Sequence, residues 1–163
     1  MLTEPQITDV WEGWLASEIR ADYFAELVTR YQGRQSLLSW LTLLLSSGAF
    51  ASALRDWQPE HFNLPAAFAL LAAGISGYSL IISNQKRAFE CSNLHSRWTR
   101  LAQEYKTLWS NLYSEDAAEK LARLDEKSNE ISVSGNTLPN DERLMLKWEN
   151  YVLQQHHCQP VSA

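Results

Sequence analysis

Two stretches of the chain, 35–54 (QSLLSWLTLLLSSGAFASAL) and 62–85 (FNLPAAFALLAAGISGYSLIISNQ), carry no charged side chain. A helix needs roughly 20 mostly apolar residues to cross a hydrocarbon layer of about 30 Å, and both stretches are long enough. Neither shows the polar stripe of a surface helix in a water-soluble domain. Two adjacent core helices, apolar all round, would need a larger shell than the rest of the chain supplies. The pattern therefore predicts two membrane spans. Their serines fit this, because a hydroxyl can bond the carbonyl one turn back along its own helix. The connection 55–61 (RDWQPEH) is short, so the spans form an antiparallel hairpin. Pro65 falls in the first turn of the second span, where a missing N–H is tolerated. Trp57 and Phe62 stand at the level favoured by interfacial aromatics.

Positive charge sets the orientation. Arg30 and Arg34 precede the first span, Lys86 and Arg87 follow the second, and Arg97, Arg100 and Lys106 lie beyond. The loop holds Arg55 against Asp56 and Glu60. Both termini are thus expected in the cytosol, with the loop outside. The juxtamembrane bases Arg30, Arg34, Lys86 and Arg87 are suited to anionic lipid headgroups; nucleotide binding is a second reading of the cations from Lys86 to Lys106. Neither span carries an ionisable residue, which argues against proton relays and charge-coupled transport. Small residues recur every fourth position at Gly48 and Ser52, and at Ala69, Ala73 and Gly77. Such faces let helices approach closely in lipid, either within the hairpin or between subunits.

The flanking arms read as helices. After the second span, Cys91, Leu94, Trp98, Leu101, Tyr105, Leu108 and Leu112 alternate spacings of three and four, an a/d seam without an intervening Gly or Pro. The N-terminal arm has its own seam at Val10, Trp14, Ser17, Ala21, Phe24, Val28 and Tyr31. The seams join either the arms of one chain or those of several, and their bulky aromatics favour a bundle over a regular zipper. The turn formers from Ser128 to Thr137 mark a linker. Asn140, Asp141 and Glu142 then start a last helix with Leu144, Met145, Trp148, Tyr151 and Val152 on one side. The expected fold is an all-α membrane protein, a two-transmembrane hairpin whose long N- and C-terminal cytosolic helices form a helical bundle. Its parts are an N-terminal helix over 1–34, the hairpin over 35–85, a long helix over 86–133, and a linker, terminal helix and tail over 134–163.

A net charge of -5 gives no global basic field, so nucleic acid is not an expected partner. Cys91 and Cys158 are far apart and read as free thiols. Acids at Glu4 and Asp9 precede any apolar core, so no cleavable signal peptide is expected. The triplet His156-His157-Cys158 has metal-ligand types, but three adjacent residues cannot all face one ion on a helix, and a tail without metal is expected. Cys91 and His95, one turn apart, lack an orienting third group for nucleophilic chemistry. No phosphate loop, HExxH or GxSxG is present. The expectation is a non-enzyme without catalytic residues, metal or cofactor.

This layout resembles the SLATT family, the two-transmembrane effector domains of bacterial conflict systems. The likeness rests on an N-terminal helix ending RYQGRQ, a tight hairpin and a trailing helix beginning NQKRAFECSNLHSRWTRLAQEYKTLW, over roughly 9–124. The resemblance implies a bacterial inner-membrane effector of anti-phage defence. Such a protein would permeabilise the membrane, aborting infection, on a signal from a nucleotide-signal synthase or sensor protein. In the leading reading of this chain, homo-oligomers held by the cytosolic arms rearrange their hairpins when the signal arrives. The alternative is a membrane anchor or adaptor that recruits a cytosolic partner through its helical arms. The family offers no motif by which individual functional residues could be carried over.

Overall fold

The computed structural model describes residues 2–46, 71, 73–78, 84–135, 138 and 140–157. Among them the regular structure is all α-helical. The elements are α1 (Glu4–Ser46), α2 (Asn84–Trp109), α3 (Ala117–Gly135) and α4 (Glu142–His157), with a further helical stretch at 73–78. The chain divides into two compact units, Met1–Val28 with Phe89–Ala163, and Thr29–Ala88.

Local chemistry starts the helices. Ahead of α1, the backbone N–H of Thr3 donates to Gln6 Oε1 at 2.9 Å, one half of a capping box. Asp141 caps α4, its Oδ1 accepting from the Leu144 N–H at 3.1 Å.

The first unit is a four-helix bundle. Contacts pair Gly13 with Tyr105, Trp14 with Lys106 and Ala21 with His95, so α1 and α2 run antiparallel. Arg97 with Glu130 and Tyr105 with Asp125 make α2 and α3 antiparallel. Glu18 with His156 and Glu26 with Lys147 do the same for α1 and α4. The seam positions fill the centre: Val10, Trp14, Ser17, Ala21 and Phe24 from α1, and Cys91, Leu94, Trp98, Leu101, Tyr105 and Leu108 from α2. Ala117, Leu121, Leu124 and Ile131 of α3 and Leu144 and Val152 of α4 complete it. Trp98, Leu101 and Tyr105 are no more than 2 % exposed within this one chain.

Two expectations are corrected. The single long helix over 86–133 is two helices, broken by turns between Trp109 and Ala117. The break uses no Gly or Pro. Ser110 Oγ and Asn111 Nδ2 donate to the carbonyls of Lys106 and Thr107, and the Asn111 N–H turns to the Leu108 carbonyl, offering the backbone an exit from the helix. Leu112 lies in these turns, half-buried, and so is not part of the helical seam. The linker expected from Ser128 is the second half of α3, which continues to Gly135. Burial of Ile131, with the Arg97–Glu130 pair at 2.8 Å, holds as helix a segment whose residues favour turns.

In the second unit, the end of α1 exposes large apolar side chains. Leu37 and Trp40 are 61 % and 62 % exposed, and Leu41, Leu43 and Leu44 are exposed as well. Leu71, ahead of the stretch 73–78, and Tyr78, its last residue, are exposed. Ser39 Oγ and Thr42 Oγ1 donate to the carbonyls of Gln35 and Leu38. Among the described residues no helix is long and apolar enough to cross a membrane. Of the first predicted span, 47–54 lies outside them; so do the loop 55–61 and, in the second span, 62–70, 72 and 79–83.

Candidate functional site

In the bundle, α2 and α3 lie side by side with a furrow between them. Residues three and four apart on a helix share a face. Arg100, Gln103, Glu104, Thr107 and Asn111 therefore line one wall, and Lys120, Arg123 and Lys127 the other. Leu108 and Leu124, buried at the core, form its floor. The cavity measures about 550 Å³, and a smaller one of about 260 Å³ brings in Arg97, Leu101, Glu130 and Ile131.

Electrostatics in the furrow are laid out as pairs. Glu104 bridges the helices, one oxygen 3.3 Å from Arg100 Nε and the other 2.5 Å from Lys127 Nζ. Lys120 pairs with Asp116 at 2.7 Å and Arg123 with Glu119 at 2.5 Å, each within α3. The Lys120 bond to the exposed Asp116 holds that carboxyl below the usual carboxylate range. Arg100 is 82 % exposed at its side chain, whereas Glu104 is 29 % exposed. Exposed pairs of this kind contribute little in water, so an incoming anion can take over their cations at small loss. The furrow thus offers recognition chemistry for a phosphate-bearing or otherwise polyanionic ligand, with two leucines beneath it.

A second cluster joins α1 to α4. Glu18 accepts from Trp14 Nε1 at 2.8 Å and lies 2.6 Å from His156 Nε2. Trp11, Trp14 and His156 pack edge to face, with ring centroids 5.0 to 5.4 Å apart, and Trp109 leans on Trp11. Lys106 Nζ stands 5.8 Å over the Trp14 ring. His156 is thereby engaged with Glu18 across the bundle, while the His157 side chain and Cys158 lie outside the described residues. Among the described residues no group of three metal-ligating side chains comes together.

Comparison with known proteins gives no relative. No family model matches the chain, and neither the curated proteins nor the solved structures hold a significant match.

The other predicted residues have these places. Trp14, Leu94, Trp98, Leu101, Tyr105 and Leu108 are buried in the bundle. Arg30, Arg34, Lys86 and Arg87 are exposed in the second unit. Gly48, Ser52 and Ala69 lie outside the described residues; Ala73 and Gly77 are helical, and a Cβ at Gly77 meets no described atom within 4 Å. Cys91 is fully buried, and burial, with Glu90 nearby, pushes its thiol up to about 11, so it stays protonated near neutral pH. His95 Nδ1 lies 2.9 Å from the Ala21 carbonyl, as a packing contact between α1 and α2. Sequence reading missed the cations of α3. Their spacing at 120, 123 and 127, beside the apolar 121 and 124, was the available signal.

Proposed function

We propose that the chain is a two-span bacterial inner-membrane effector of the SLATT kind. Its cytosolic bundle receives an anionic signal, and its hairpin then permeabilises the membrane. The observation that carries the membrane half is the exposed apolar run from Leu37 to Leu44 at the end of α1. Contiguous apolar surface facing water is unfavourable by about 25 cal/mol per Å², and such patches mark membrane or protein contacts. The run continues into uncharged sequence and is flanked by exposed Arg30 and Arg34. Hydroxyls satisfied within the helix at Ser39 and Thr42 suit a lipid surroundings.

The signalling half rests on the basic furrow between α2 and α3. Because the seam residues are consumed inside one chain, subunits of a homo-oligomer would meet through the hairpins, where the small residues from Ala69 to Gly77 fit close helix approach. Inducible expression in bacteria with a potential-sensitive dye tests the reading. Wild type is expected to depolarise the membrane, and replacing Ala69, Ala73 and Gly77 with Leu is expected to relieve it. A membrane that stays polarised, even with the adjoining genes co-expressed, would leave the anchor or adaptor role in its place.

A further inference from the structure

Arg20 is the bundle's anomaly. It is half-buried on α1, and its guanidinium lies 4.6 Å over the ring of Trp98. Among the described residues its one hydrogen bond runs from Nη1 to Ser132 Oγ at 3.4 Å, a long contact to a neutral group. Among the described residues no carboxylate stands at salt-bridge distance from it. Burial pushes its pKa down. The sequence tells the same story: the positions three and four away on either side are Ala16, Ser17, Tyr23 and Phe24. Arg100, Lys120 and Arg123, by contrast, each have an acid four residues away and pair with it. A guanidinium carries five donors in a fixed fork, and a partly desolvated charge without a counter-ion is unfavourable.

The cation borders an open cleft of about 370 Å³ between α1, α2, α3 and the start of α4. That is the lower end of the size range of small-molecule sites, roughly 300 to 1,000 Å³. Its lining mixes polar groups, Arg20, Ser132 and Asn140, with an aromatic and aliphatic wall. Tyr23 and Phe24 pack edge to face at 5.1 Å, both buried, with Met145 and Ile131 beside them. The backbone N–H of Asp141 donates to the Tyr23 hydroxyl at 3.1 Å, tying the start of α4 to this wall. The face of Trp98, which is 1 % exposed, holds the guanidinium carbon 4.6 Å from its centroid at the edge of this cleft.

We propose that the cavity bounded by Arg20, Tyr23, Phe24, Trp98, Ser132 and Met145 binds a small organic oxyanion. The ligand is a carboxylate or phosphate on an aryl or short alkyl body, its head on the free donors of Arg20 and its body against the aromatic wall. The site is separate from the α2–α3 furrow and does not depend on the effector reading. It gives the bundle a place where one small molecule touches all four helices, through which ligand and helix packing are linked.

Fluorine NMR of the purified full-length chain tests this with 4-fluorophenyl phosphate and 4-fluorobenzoate as probes and 4-fluorobenzyl alcohol as the uncharged analogue. At least one anion is expected to broaden on adding protein, to sharpen again with its unlabelled analogue, and to bind at least about tenfold tighter than the alcohol. Which anion binds separates phosphate from carboxylate recognition. Arg20→Gln is expected to lose about tenfold or more in affinity. Met145→Trp, which fills the cavity and keeps the cation, is expected to abolish binding; retention of binding there overturns the site. The proposal also fails if no anion binds wild type, if the alcohol binds as well, or if affinity follows Lys127→Gln in the furrow instead of Arg20→Gln.

Discussion

Replacing Trp98 with Ala is expected to remove about 3–5 kcal/mol of stability from the bundle, the range for truncating a buried aromatic. Its side chain is 1 % exposed at the middle of α2, and the guanidinium of Arg20 rests on its face. Truncation leaves a cavity and also strips the ring from a half-buried cation, so two unfavourable effects fall on one site. Since domains are stable by only about 5–15 kcal/mol in total, the variant should melt far below wild type or fail to accumulate. Trp98→Phe keeps a ring for packing and should recover most of the loss. Denaturant titration of the purified chain followed by circular dichroism reads both variants. A change below about 1 kcal/mol in Trp98→Ala would show that this residue does not sit at the centre of the core.

Gly13→Ala should also destabilise the protein, although Ala is the better helix former. A Cβ at Gly13 would stand 2.7 Å from both Cε1 and Cζ of Tyr105. That ring cannot easily move aside, being 2 % exposed with its hydroxyl donating to Asp125 Oδ1 at 2.8 Å. Overpacking of this kind costs about 1–3 kcal/mol, against a helix-propensity gain of roughly 1 kcal/mol. The clash wins because the tyrosine is held at both ends. Cutting the ring back reverses the sign: in a Tyr105→Ala background, Gly13→Ala should be neutral or stabilising. The four-variant cycle therefore measures the contact itself. Equal effects of Gly13→Ala in both backgrounds would contradict the close approach of α1 and α2 at this point.

These two sites differ in how far the sequence reveals them. Trp98 stands in a row with Leu94, Leu101, Tyr105 and Leu108 whose three-and-four spacing marks a buried face by itself. Gly13 lies off the α1 seam and gains its meaning only from the ring that α2 lays over it. The break before α3 was hidden for a related reason. Reading for Gly and Pro passed over Ser110 and Asn111, whose side chains bond their own helix's carbonyls and end it as effectively. In the opposite sense, the turn-forming residues from Ser128 onward are held helical by the burial of Ile131 and by Arg97, a partner thirty-three residues away from Glu130. Long-range packing overrides local preference there, and no local window contains it.

The candidate sites divide along the same line. The furrow is half legible in the sequence, since Arg97 and Arg100 stand out as bases while Lys120, Arg123 and Lys127, interspersed with acids, look like the solvent side of any helix. Arg20 left a fainter trace, a lone cation on the shoulder of a seam with no acid one turn away. His156 was noticed beside His157 and Cys158, but its link to Glu18 crosses from α4 to α1 and follows from the bundle alone.

Cysteine labelling in whole cells tests the two-span proposal most directly. Cys91 is fully buried with its thiol held protonated, so replacing Cys158 with Ser leaves a background that reacts slowly with maleimides. Into it go Gln58→Cys in the predicted outer loop and Glu126→Cys on the exposed face of α3. With a membrane-impermeant maleimide, position 58 should label in cells whose outer membrane alone has been opened, and position 126 only after the inner membrane is broken. If both positions label only after lysis, with the protein in the soluble fraction, the hairpin does not cross the membrane and the effector reading falls with it.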